Sequence, residues 1–211
     1  MYREEEFSRL EISLPACLEN YKYFRSKLEA STKLLVLVKA NAYGHGAVEF
    51  ASLMEEAGAD YLAVAYPVEG IELRQAGINL PIMVLTAGID SFEQIINYGL
   101  EPGIPNIDSL KVLCEVLRKR GMSDFPVHIK LDTGMGRIGV FPDQAGLDFV
   151  KEVSEIEGLE IAGVFTHFAK ADETDKEFTY GQIQKYNDFV AQIEEKYQYQ
   201  IPVKHVSNSA G

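Results

Sequence analysis

A parallel α/β fold is predicted by the alternation of short apolar runs with helix-length amphipathic segments, by the start and stop signals bounding those segments, and by a composition that supports one substantial core. With 211 residues and 46% hydrophobic content, the chain falls within the range of a single domain, taken as 1–211. Repeated βα units either close into a barrel or open into a doubly wound sheet, and periodicity does not choose between them. Neither alternative is marked by a G-x-G-x-x-G after the first strand.

Seven runs read as strands: Leu34 to Lys39, Tyr61 to Ala65, Ile82 to Leu85, Leu100 to Ile104, Val127 to Leu131, Ile161 to Phe165, and Val203 to Ser207. The fourth is the weakest, because Pro102 and Pro105 lack ladder donors and Gly103 offers no side chain to pack. Between the first two runs, Ala47, Phe50, Ala51 and Met54 recur at helical spacing and give one apolar face, which ends at Gly58. Asp90-Ser91-Phe92-Glu93 carries a cap oxygen and a back-reaching carboxylate, the pattern of a helix start, and Gly99 stops that helix. Asp108 opens the next, with Leu110, Leu113 and Leu117 on one face. Its end is the basic triplet Arg118-Lys119-Arg120 before Gly121, which complements a helix C-terminus and is not a nucleic-acid patch.

A formal net charge of −12 sets a repulsive field against nucleic acid or an anionic membrane surface. A small anionic ligand is compatible with it, since local amides and one or two cations suffice to bind a phosphate. Cys17 and Cys114 stand far apart without metal-ligand spacing and read as packing residues in a reducing compartment; no metal site is predicted. The N-terminal stretch Met1 to Glu6 has no apolar core of a signal peptide, and no run approaches the about 20 apolar residues of a membrane span. A cytoplasmic protein is expected.

The segment Leu34-Leu35-Val36-Leu37-Val38-Lys39-Ala40-Asn41-Ala42-Tyr43-Gly44-His45-Gly46 carries a lysine to the point where a strand gives way to a glycine-flexed turn. Taken alone, such a lysine reaches for water. Held half-buried, its pKa falls and it becomes a nucleophile suited to Schiff-base formation. The stretch VKANAYGHG resembles the pyridoxal-phosphate attachment segment of alanine racemases, with Lys39 in the place of the lysine that binds the cofactor as a Schiff base. By that resemblance Tyr43 contacts the cofactor phosphate. His45 reads as a solvated loop histidine.

In Val127 to Gly139, strand alternation puts His128, Lys130 and Asp132 on one face, with Val127, Ile129 and Leu131 on the other. The segment is similar to the K-[LM]-D-T-G-M-G-R motif of the same family. The resemblance implies that Arg137 hydrogen-bonds near the cofactor's phenolic oxygen and that Lys130 is carbamylated. Two buried cations side by side would repel, and converting one to a carbamate relieves that. Thr166-His167-Phe168 resembles the family's strand-end T-H-F, in which His167 neighbours the cofactor ring. Leu85 matches an apolar cofactor contact by position and reads equally as a core leucine. Ser207-Asn208-Ser209-Ala210 looks like the family's [NS]-S-A segment, in which Asn208 and Ser209 help hold the cofactor, Ser209 through its hydroxyl to the phosphate.

The resemblance decides for a (β/α)8 TIM-type barrel, whose active sites sit at the C-terminal ends of strands. About seven βα units are present. Family members continue with an eighth strand and a β-rich C-terminal domain, so an incomplete barrel and an N-terminal fragment are expected. The implied reaction of the parent protein is interconversion of L- and D-alanine by two-base α-proton exchange, supplying D-alanine for peptidoglycan, with Lys39 as the base on one face. No residue in motif context supplies the other base, and the fragment alone is expected to be almost inactive. The full-length protein is expected to be a homodimer, and unpaired strand edges favour self-association of the fragment. Three other readings stay open: a non-catalytic pyridoxal-phosphate-binding barrel of the vitamin B6 homeostasis type, a serine or broad-specificity racemase, and a decarboxylase of the same fold.

Overall fold

The computed structural model describes residues 10–211, so the acidic N-terminal stretch lies outside the described residues. They form two compact units, one ending at Ile82 and the other running from Met83 to Gly211.

In the first unit, helix α1 (Leu14–Ser26) starts at Ser13, whose hydroxyl accepts the Ala16 N–H. Strands β1 (Leu35–Leu37) and β2 (Tyr61–Val64) pair in parallel, Leu35 opposite Tyr61. The Asp60 carboxylate accepts the Leu34 N–H at 2.8 Å, which fixes where β1 begins. Helices α2 (Ala47–Glu56) and α3 (Pro67–Gln75) follow the two strands. The predicted face of α2 is realised, with Ala51 and Met54 buried, and Leu62, Ala63, Val64 and Leu73 complete the core of this unit.

The second unit takes β3 (Ile82–Val84) from Met83 onward and adds β4 (Glu101–Ile104), β5 (Phe125–Lys130), β6 (Leu159–Phe165) and β7 (Val203–His205). Each pairs in parallel with the next. The weak fourth run is a strand. Pro102 sits opposite Val84 and Gly103 opposite His128. A Cβ at Gly103 would lie 3.4 Å from the Val84 carbonyl and 3.5 Å from the Phe165 ring, so glycine leaves room for that ring.

The helices of this unit are α4 (Phe92–Asn97), α5 (Ile107–Arg120), α6 (Gln144–Glu155) and α7 (Glu177–Tyr197). Two start signals are corrected. Ser91 donates to the Gly88 carbonyl instead of capping α4, and Glu93 pairs with Arg120 instead of reaching back. Asn106, not Asp108, caps α5: its side-chain oxygen accepts the Ser109 N–H, and Asp108 occupies the first turn. Gly121 ends α5 in the left-handed conformation, as its position after the basic triplet predicts.

Beneath the strand ends lies a buried polar and aromatic layer. His128 Nε2 is 2.8 Å from the Glu101 carboxylate. The ring of His205 stacks on Phe165 at 4.8 Å and stands edge-on to His128 at 5.8 Å. Burial, together with the neighbouring His128, pushes the His205 pKa from 6.5 down to about 3, so His205 is neutral at pH 7. The Tyr186 hydroxyl, its pKa raised by burial, donates to the Val164 carbonyl at 2.7 Å and ties α7 to β6.

The register of β5 against β6 slips between Val127 and His128, which skips Ala162 and puts Gly163 opposite His128. A Cβ at Gly163 would sit 2.8 Å from the Val203 carbonyl and 2.9 Å from His128 Nδ1. Gly163→Ala is expected to cost about 1–3 kcal/mol of overpacking strain, read as a lower urea midpoint at unchanged m-value.

Candidate active site

In the first unit the chain leaves β1 through buried Val38 and reaches half-buried Lys39. The next four residues then turn left-handed: Ala40, Asn41, Ala42 and Tyr43 have φ of 50–55° and ψ of 34–50°. For L-residues that conformation costs about 1–2 kcal/mol each, and runs of it are rare. Hydrogen bonds hold the run together. The Ala42 N–H donates to the Val38 carbonyl at 2.9 Å, and Gly46 N–H donates to the Asn41 carbonyl at 3.2 Å. The Asn41 side-chain oxygen accepts the Ala47 N–H at 2.7 Å, satisfying an orphan donor at the start of α2. The Lys39 ammonium lies 5.9 Å from the centre of the Tyr43 ring, which is itself 59% exposed. His45 is exposed, and its Nδ1 closes on the Ala42 carbonyl at 2.8 Å.

In the second unit Leu85, Lys130, His167, Asn208 and Ser209 lie at or just after the C-terminal ends of their strands, and Arg137 lies in the loop that follows β5. His128 and Lys130 are buried because a parallel sheet is covered on both faces, so the polar row of β5 does not open to solvent. The Lys130 ammonium rests 5.6 Å from the Phe165 ring. Arg137 is exposed, so the expected pair of buried cations is corrected: only Lys130 is buried.

The loop that carries Arg137 is organised by Asp132. One carboxylate oxygen accepts the N–H groups of Gly134 and Gly136, and the other accepts that of Arg137, all at 3.0 Å. Burial raises the Asp132 pKa, but these backbone donors outweigh it and hold the carboxyl below its usual value. The loop returns to its strand where Val140 N–H donates to the Lys130 carbonyl and Asp132 N–H to the Val140 carbonyl. Gly139, with φ +138°, is required there: a Cβ would lie 2.8–2.9 Å from the backbone of Lys130 to Asp132.

Gln182 is a functional candidate that sequence reasoning misses. It is 1% exposed in the second turn of α7. Its amide donates to Thr133 Oγ1 and to the His167 carbonyl, both at 3.1 Å, and its oxygen accepts the Ala169 N–H at 2.9 Å. Thr133 Oγ1 also lies 2.8 Å from Thr166 Oγ1. The Arg137 loop and the His167 segment are thus locked through one side chain. A polar residue on an amphipathic helix carries no sequence signal of that role. Asn208 is engaged locally, accepting the Ala210 N–H and donating to the Phe168 carbonyl at 3.4 Å, while the Ser209 side chain is exposed. Shallow depressions of about 330 and 270 Å³ flank Thr133 and Lys185, and Lys130, Arg137, His167, Asn208 and Ser209 do not line them.

The sequence model of the family described as alanine racemase, N-terminal domain, matches residues 12–211. The chain belongs to this family. It is 42% identical over 200 residues to the alanine racemase of Clostridium perfringens, covering 94% of this chain and 51% of that one. To the alanine racemase of Methanococcus maripaludis it is 40% identical, covering 95% and 53%. Among solved structures, alanine racemase of Clostridium difficile in complex with cycloserine superposes with a TM-score of 0.88 at 40% identity, covering 92% of this chain and 54% of that chain. Alanine racemase of Bacillus anthracis with bound L-Ala-P gives 0.86 at 30% identity, covering 94% and 51%. The chain therefore spans about half the length of the alanine racemases it matches. Its fold class is that of the alanine racemase N-terminal domain, an incomplete (β/α)8 barrel, with seven strands alternating with helices among the described residues. No described helix is long and apolar enough to cross a membrane.

The depressed Asp132 pKa makes a prediction with a definite sign. An unfolded chain binds this proton more readily than the folded one, so Asp132 contributes stability above its ordinary pKa of 3.8 that is lost as pH falls through the lower folded value. Asp132→Asn is expected to lower stability at pH 7 and to flatten the acid limb below about pH 4, measured by urea denaturation across pH.

Proposed function

We propose that this chain supplies the pyridoxal-phosphate-binding barrel of an alanine racemase, and that the parent protein interconverts L- and D-alanine. The observation that carries the reading is a half-buried lysine at a strand end, followed at once by a left-handed run that no packing requirement of the strand explains. Backbone strain of this kind persists where function over-determines it. The donor set also fits the cofactor. A lysine amine can condense with its aldehyde, and an exposed guanidinium, hydroxyls and strand-end amides suit its anionic and phenolic oxygens.

When bound, the cofactor supplies the electron sink that makes the α-proton of an amino acid acidic. Lys39 would hold it covalently, and its amine, when free, would take or return the α-proton on one face. By the resemblance, Tyr43 and Ser209 would help hold its phosphate, and Leu85 and His167 would neighbour its ring. Arg137 would reach the phenolic oxygen from a loop that Asp132 has already shaped. By the resemblance alone, Lys130 would carry a carbamate. Asn208 shapes the turn that presents Ser209. Inversion needs a second base on the opposite face, which none of these residues provides, so the 211-residue chain alone is expected to racemise alanine at far below enzymatic rates. The full-length protein acts as a cytoplasmic homodimer in this reading.

Borohydride reduction after incubation with pyridoxal phosphate, followed by peptide mapping, tests the assignment. A pyridoxyl group on Lys39, and the visible band of the Schiff base, are expected in the wild type and absent from Lys39→Ala. Labelling scattered over surface lysines, with no band, overturns the cofactor reading.

A further inference from the structure

We propose that Glu69 is a positioning residue for Lys39, clamping the start of the left-handed run to the end of β2. The inference rests on the cofactor reading above for its purpose, and on geometry for its existence. The regular β1–β2 ladder ends where Val38 N–H donates to the Ala63 carbonyl at 2.8 Å. Beyond it the chain turns left-handed and offers β2 no further carbonyl or amide in register. At that point the Glu69 carboxylate takes the place of the next rung. Its Oε1 accepts the Ala40 N–H at 2.7 Å, and its Oε2 accepts the N–H of Ala65 at 2.7 Å and of Tyr66 at 3.0 Å.

Ala65 and Tyr66 are the orphan donors ahead of α3, and a glutamate three residues after Tyr66 serves them as an ordinary helix start would. Capping explains Oε2 alone. The bond from Ala40, 29 residues away in sequence, has no part in capping. It fixes the peptide that joins Lys39 to the strained run, and hence the direction in which the lysine side chain leaves the backbone. Asn41 holds the far side of the same run through Ala47. The turn is thus pinned at both ends by side-chain oxygens, one of them charged.

The two oxygens make a separable test. Glu69→Gln keeps one carbonyl oxygen for Ala65 and Tyr66, so the α3 cap survives, but sets an amide donor against the Ala40 N–H. In hydrogen exchange on the intact chain, the Ala40 amide is expected to exchange about tenfold faster in Glu69→Gln, while Ala65 and Tyr66 stay within about threefold of wild type. On borohydride trapping with pyridoxal phosphate, the rate of labelling at Lys39 is expected to drop about tenfold in the variant, with labelling elsewhere unchanged. Unchanged exchange at Ala40 overturns the clamp. Faster exchange with an unchanged trapping rate overturns its role in positioning Lys39. A wild-type chain not labelled at Lys39 refutes the cofactor reading and with it that role, while the exchange result still decides whether the clamp exists.

Discussion

Burial of a parallel strand on both faces is the constraint from which the rest of this structure follows. Along β4, β5 and β6, each with a parallel neighbour on both sides, the ladder matches peptide groups and most side chains are buried. Chemistry needs room and unmatched donors, and for these strands both appear where the ladder stops. The candidate residues Lys39, Leu85, His167 and Asn208 stand just past the last residues of β1, β3, β6 and β7, and Lys130 is the last residue of β5. Each such strand end needs a local device to finish its hydrogen bonding. Glu69, Asp132, Gln182 and Asn208 are those devices.

The devices share a logic. In each, a polar side chain substitutes for the missing rung of the ladder and sets the course of the loop that follows. Asp132 serves one loop, and Gln182 joins that loop to the next strand end. The cost of burying these groups is offset because their oxygens and amides are hydrogen-bonded, as buried polar groups must be. The His128–Glu101 contact and the neutral His205 beneath it follow the same rule one layer further in.

The seven strands were legible because apolar runs of strand length carry their own signal, and even the fourth formed despite Pro102 and Gly103. Strand ends were overread by a residue or more, as at Lys39 and Ser207, since the residues past a ladder keep the same apolar or polar character. Helix starts were harder. Ser91 and Asp108 are good capping residues, yet the chain used Ser91 to close a turn on Gly88 and chose Asn106 over Asp108, choices set by the local path of the backbone. Lys39, Arg137 and His167 are singled out in the sequence as candidates by motif resemblance. Glu69 has a sequence signal only in hindsight, as a glutamate three residues after Tyr66 and two after Pro67, and that signal speaks of capping and not of Ala40. Gln182 has none, because its partners Thr133 and His167 are 49 and 15 residues away.

The Asp132 loop has a further consequence. Backbone amides converging on a concave turn form the kind of nest that elsewhere binds a free anion. Here the anion is covalently part of the chain, so the nest is filled at all times. The entropy of ordering residues 133–137 is spent during folding and not on ligand arrival, and a ligand approaching Arg137 meets a backbone that has no disorder left to lose.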